Sequence, residues 1–174
     1  MGSGGPSVCG GADPSAWLVW FNMSVLPIVC YPEPILRQVA SPVVSYGQPM
    51  LALIRDMFDT MRHAKGVGLA APQVGVSLRV IVVSYQQHQL ALVNPVITHL
   101  EGEESGEEGC LSLPNVSLLV PRATIISVDA QSPNGHPIRL KKLKGYLARI
   151  IQHEVDHLNG VLILDKGGEV NGSV

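Results

Sequence analysis

The sequence predicts an α+β fold: mostly antiparallel sheets around a central helix that carries His-Glu-x-Asp-His, with a second helix nearer the N-terminus. Three observations predict it. Apolar residues recur at intervals of three and four in two stretches, about 49–64 and 145–159. The β-branched segments between them are separated by Asn-Pro and Asn-Gly signals, which favour hairpins. The chain has 174 residues, enough for one domain that buries its own core without a disulfide or a metal.

Taken in order, residues 1–22 differ from the rest. They hold both tryptophans, five glycines and no Lys or Arg. The apolar patch 16–21 is too short for a signal peptide and lacks a positive segment before it, and a transit peptide would need arginines. This leader is expected to lie outside the folded domain, which is assigned to 23–174. Pro32, Pro34 and Pro42 make residues 27–44 an entry loop. The first helix places Met50, Leu51, Leu53, Ile54, Met57, Phe58 and Met61 on one face, with Pro49 in its first turn and Gly66 or Gly68 as its stop. Strands are expected at 79–84, 90–93, 96–100, 116–120 and 124–130, with a brief hairpin between Ser84 and Asn94. Ser132-Pro133-Asn134-Gly135 is a turn leading into a further strand at 136–143. The acidic, Gly-broken stretch before Cys110 is expected to be a loop. The second helix stops at Gly160, and from about 166 the chain reads as a loose tail without helical pattern.

Composition excludes several functions. Twelve Lys+Arg against fourteen Asp+Glu give a net charge of −2, so no positive field exists for direct nucleic-acid binding. At 46% hydrophobic residues the chain is not disordered. No apolar run reaches the roughly 18 residues that span a membrane. Three widely spaced cysteines do not make a disulfide framework, so an important Cys is expected to be a ligand or nucleophile in a reducing compartment.

Chemistry concentrates in the second helix, in Gln152-His153-Glu154-Val155-Asp156-His157. His153 and His157 are one turn apart, about 40° on the helix wheel and about 6 Å along the axis, so two imidazoles can converge on one metal ion. Glu154 remains close enough to handle a water at an open position. On the wheel Glu154 falls inside the apolar stripe of Leu147, Ile151, Val155 and Leu158, with His157 on its edge. A carboxylate on a buried face is costly unless compensated, which favours a raised pKa and general acid/base work. Asp156 falls opposite the stripe and reads as a solvated or supporting residue.

Two histidines leave a catalytic site one protein ligand short. Downstream the sequence offers Asp165 and Glu169; upstream it offers Cys110, in Glu108-Gly109-Cys110-Leu111-Ser112. By composition Cys110 reads equally as a ligand or as a small buried hydrophobe. A third segment, Gly66-Val67-Gly68-Leu69-Ala70-Ala71-Pro72-Gln73, lets backbone or ligand approach closely and offers the Gln73 amide as a donor; taken alone it reads first as a helix-to-strand turn.

These three segments, in this order, resemble the peptide deformylase family, whose members carry G-x-G-x-A-A-x-Q, E-G-C-L-S and Q-H-E-x-D-H. The resemblance spans residues 23 to about 165. It implies Cys110, His153 and His157 as ligands of one divalent metal ion, with water in the fourth position. The usual ion is Fe²⁺, and Zn²⁺, Ni²⁺ or Co²⁺ can substitute. It implies Glu154 as general acid/base, Gln73 and the backbone N–H of Leu111 as oxyanion donors, and Gly68 as a partner for substrate backbone. Arg122 is implied as a supporting residue on the substrate side. Ile150 lies beside His157 on the wheel and, with Leu111, is expected to line an apolar pocket for a methionine side chain. The implied reaction removes the N-formyl group from the initiator methionine of nascent chains and releases formate. The ribosome exit region is an implied partner, and the implied location is the cytoplasm of a bacterium or phage-infected host, or an organelle stroma or matrix. Two rival readings remain. A zincin-type metallopeptidase would take its third ligand downstream. A non-catalytic, metal-stabilised module would close the site with a fourth protein ligand.

Overall fold

The computed structural model describes residues 25–169, so the leader at 1–22 lies outside the described residues. In chain order the elements are α1 (Gln48–His63), β1 (Gly68–Ala70), β2 (Val80–Tyr85), β3 (His88–Glu101), β4 (Glu104–Cys110), β5 (Leu113–Arg122), β6 (Ile125–Gln131), β7 (Pro137–Lys144), α2 (Gly145–Leu158) and β8 (Gly168–Glu169). All strand pairings in the two sheets are antiparallel. One sheet has five strands in the order β1-β2-β3-β6-β7, and the other has three, β4-β5-β8. The α+β architecture with two helices is the one expected. No helix among the described residues is long and apolar enough to cross a membrane.

Strand β2 explains how the sheet and both helices share a core. Its run Val80-Ile81-Val82-Val83 is apolar at every position because both faces are covered. Ile81 and Val83 pack with Leu147, Ile151, Val155 and Leu158 of α2. Val80 and Val82 pack with Met50, Ile54, Met57 and Met61 of α1. Each fully buried Leu or Ile here contributes about 1.5–3 kcal/mol, which offsets the cost of placing Glu154 in the same stripe.

Four expectations change. First, α1 ends with Lys65, not a glycine, in the left-handed region (φ 57°). The N–H of Gly66 donates to Met61 O at 2.9 Å and that of Lys65 to Arg62 O at 3.0 Å, the paired bonds that close a helix terminus. Gly66 serves close approach instead: a Cβ there would lie 2.8 Å from Leu111 Cδ1. Second, the strands expected at 90–93 and 96–100 are one strand, β3, with a register shift between Val93 and Val96. Pro95 cannot donate to the ladder, and Asn94 bonds through its side chain to the backbone of Val43. Third, the expected acidic loop is β4, since pairing with β5 overrides its poor strand propensity. Fourth, within the stretch expected to be a loose tail, Gly168 and Glu169 pair with Leu119 and Leu118 of β5. The turn at 132–135 forms as expected, with Ser132 N–H donating to His136 O at 2.7 Å. Cys110 is a free thiol.

Candidate metal centre

Strand alternation and a bulge aim β4 at α2. Gly106, Glu108 and Cys110 share one face of β4, while their neighbours Glu107 and Gly109 are exposed. Gly109 opposes Ser117, but Cys110 opposes Leu113, so the hairpin tightens abruptly at its tip, where Leu111 and Ser112 lie. From α2, His153 and His157 come to the same point. Cys110 Sγ lies 3.2 Å from His157 Nε2, which lies 3.2 Å from His153 Nε2. All three donor atoms fall within 4.8 Å of one another. Ligand bonds of about 2.0–2.3 Å at tetrahedral angles place such atoms about 3.3–3.6 Å apart, so one divalent ion fits this set.

The surroundings prepare the donors. The Glu108 carboxylate, 6% exposed, accepts four hydrogen bonds of 2.9 Å: two from Arg122, one from Arg149 and one from His153 Nδ1. A carboxylate can only accept, so Nδ1 of His153 carries the proton and Nε2 points inward. Burial pushes the Glu108 pKa up, but the bonds from His153 and Arg122 outweigh it and hold the group at about 2. Burial pushes His153 down, yet its bonds to Cys110 and Glu108 raise it to about 10. Burial drives His157 well below its ordinary value, which leaves a neutral imidazole with a lone pair to give.

Glu154 is 4% exposed, and its Oε2 has no hydrogen-bond partner. Burial raises its pKa to about 7. That is the value a proton carrier needs near neutral pH. Gln73 is fixed at both ends: Oε1 accepts from Ala70 N–H at 2.9 Å, and Nε2 donates to Ser112 Oγ at 3.2 Å and to Cys110 Sγ at 3.6 Å. Gln73 stands in the 3₁₀ turn Ala71–Val74 that follows β1.

A pocket of about 420 Å³ opens onto this cluster, and its wall includes Gly68, Gln73, Cys110, Leu111, Ile150 and Glu154. The structure thus brings together every site residue expected from the sequence except Arg122. Arg122 is 4% exposed and stands outside that wall, bound to Glu108 and Asp156. Asp156, which read from sequence as a solvated or supporting residue, is tied to Arg122 and Lys166. Glu108 and Arg149 had no expected role. The signal for Glu108 is its position two residues before Cys110 on one strand face, and for Arg149 its position four residues before His153 on one helix face.

A family model described as Polypeptide deformylase matches residues 25–171. The peptide deformylase of Pelotomaculum thermopropionicum is 46% identical over 148 residues, covering 85% of this chain and 95% of its own. That of Dictyoglomus turgidum is 50% identical over 137 residues, covering 79% and 89%. The crystal structure of peptide deformylase from Thermotoga maritima superposes with a TM-score of 0.81 at 40% identity, covering 83% of this chain and 99% of that one. With its fold and three sequence segments agreeing, the chain belongs to the polypeptide deformylase family.

Proposed function

We propose that Cys110, His153 and His157 hold one divalent metal ion, and that Glu154, Gln73 and Leu111 work beside it in hydrolysis. The chain removes the N-formyl group from nascent polypeptides, the activity of its family. The observation that carries the site assignment is the convergence of one sulfur and two imidazole nitrogens beside a buried carboxylate whose Oε2 has no hydrogen-bond partner. Fe²⁺ is the proposed ion, with Zn²⁺, Ni²⁺ or Co²⁺ as substitutes, since mixed sulfur and nitrogen donors suit all four. When bound, the ion supplies Lewis-acid charge and lowers the pKa of water.

The chain's own residues do the rest. Glu154 takes a proton from the attacking water and delivers it to the leaving amine. The Gln73 amide, held by Ala70 and Ser112, and the backbone N–H of Leu111 donate to the oxygen that becomes negative, each worth about 3 kcal/mol in such sites. Strand β1 is an edge strand, so the backbone of Gly68 can pair with an extended peptide. Ile150 and Leu111 offer apolar surface to the methionine side chain. Arg122 acts through Glu108 and does not touch substrate.

The rival readings find less support. Asp165, a downstream candidate ligand, is engaged by Arg37 and by the N–H of Leu162. A closed structural site needs a fourth protein ligand, and the convergent group among the described residues has three. The test measures formate release from a formyl-Met peptide by protein loaded with Fe²⁺ or Ni²⁺, alongside metal content of Cys110→Ala. Release by the wild type and metal loss in the variant are expected. No release from loaded wild type would overturn the reading, and full metal content in Cys110→Ala would remove Cys110 from the ligand set.

A further inference from the structure

Strand β4 carries Cys110 but is an edge strand, bonded to β5 on one side only. What holds it against the helix that carries the histidines? Among the described residues, α2 side chains reach β4 by hydrogen bond from three positions: Arg149, His153 and His157. Two of these three are proposed metal ligands. Arg149 is the third. Its side chain is 12% exposed, and its guanidinium spans both strands of the hairpin. It donates to Val120 O at 2.7 Å, Glu104 O at 2.7 Å, Glu108 Oε1 at 2.9 Å and Gly106 O at 3.4 Å. The planar head lies on bare backbone: a Cβ at Gly106 would stand 2.9 Å from Cζ and from Nη2. Gly106 and Arg149 are thus a fitted pair, a residue without a side chain beneath the one head that reaches four acceptors.

We propose that Arg149 is a positioning residue that clamps β4 to α2 independently of metal, and so presets the distance between Cys110 and the two histidines before an ion arrives. The proposal rests on the metal reading above. Its chemistry is that of a fork of donors, which a single ammonium cannot copy. Residues that orient metal ligands typically change affinity by about 10–100-fold when removed.

Two measurements test it on the full chain. The first is Zn²⁺ affinity of wild type, Arg149→Met, Arg149→Lys and Gly106→Ala, by chelator competition. The second is amide hydrogen exchange of the metal-free proteins. Arg149→Met is expected to weaken Zn²⁺ binding by about tenfold, and Arg149→Lys by less. Exchange in β4 is expected to rise while that of β2 and β3 stays at the wild-type level. Gly106→Ala, which displaces the guanidinium, should add little once Arg149 is Met, because both changes remove one contact. Zn²⁺ affinity of Arg149→Met within about twofold of wild type overturns the proposal. Exchange raised equally in β2 and β3 also overturns it, as a general loss of stability. Wild type that binds no Zn²⁺ overturns the metal reading instead, and exchange in β4 then decides the clamp alone.

Discussion

The carboxylate of Glu154 rests against the backbone of Gly68: a Cβ at residue 68 would stand 2.3 Å from Oε1 and 2.9 Å from Cδ. The contact joins the helix that bears the histidines to the edge strand proposed to receive the peptide. Glycine at 68 therefore sets where the proton carrier sits. Gly68→Ala is expected to displace the carboxylate and lower kcat by about 100-fold, the usual cost of a shift near 1 Å. Metal content should be unchanged, because Gly68 touches no proposed ligand atom. Wild-type kcat in the alanine variant would show that Glu154 has room to move without consequence.

Removing the carboxyl charge itself separates binding from chemistry. Glu154→Gln preserves volume on the buried face of α2 and abolishes proton transfer. Turnover is expected to fall by about 10²–10⁴-fold while one equivalent of metal is retained. Formate release at the wild-type rate from metal-loaded Glu154→Gln would exclude the proposed acid/base role.

Acid stability of the metal-free protein depends on Glu108. Its folded-state pKa of about 2 lies below the ordinary 4.5, so the ionised group stabilises the fold above the ordinary value, and that contribution is lost as pH falls toward 2. Glu108→Gln is expected to be less stable at neutral pH by on the order of 3 kcal/mol and to lose less on acidification. Denaturant midpoints between pH 6 and pH 2 provide the check. Parallel curves for the two proteins would assign the acid sensitivity elsewhere.

The end of α2 depends on Gly160. It holds a left-handed φ of 71°, and a Cβ there would meet Arg37 O at 2.5 Å, a backbone atom with no freedom to turn aside. Gly160→Ala is expected to cost about 1–3 kcal/mol. Each kcal/mol should lower Tm by about 2–4 °C in a chain of this size. An unchanged Tm would mean that the loop carrying Arg37 shifts freely.

Several features were legible because they are local. Helix α2 and its stop at Gly160 follow from apolar spacing and a glycine that tolerates positive φ. The spacing of His153 and His157, and the burial of Glu154 within the apolar stripe, follow from helical geometry alone. What the tertiary structure decided depends on chain segments distant in sequence. Whether Cys110 is a small core residue or part of a cluster rests on a hairpin bulge 43 positions before His153, and propensity made the first arm of that hairpin a loop. The partners of Arg122 were out of reach of sequence for the same reason. In sequence it is a charge beside a proline, and in space it is buried between Glu108 and Asp156, where an unpaired charge would be costly. Local periodicity sets which face of an element each residue occupies. Only the packing of one sheet edge against one helix sets what that face meets.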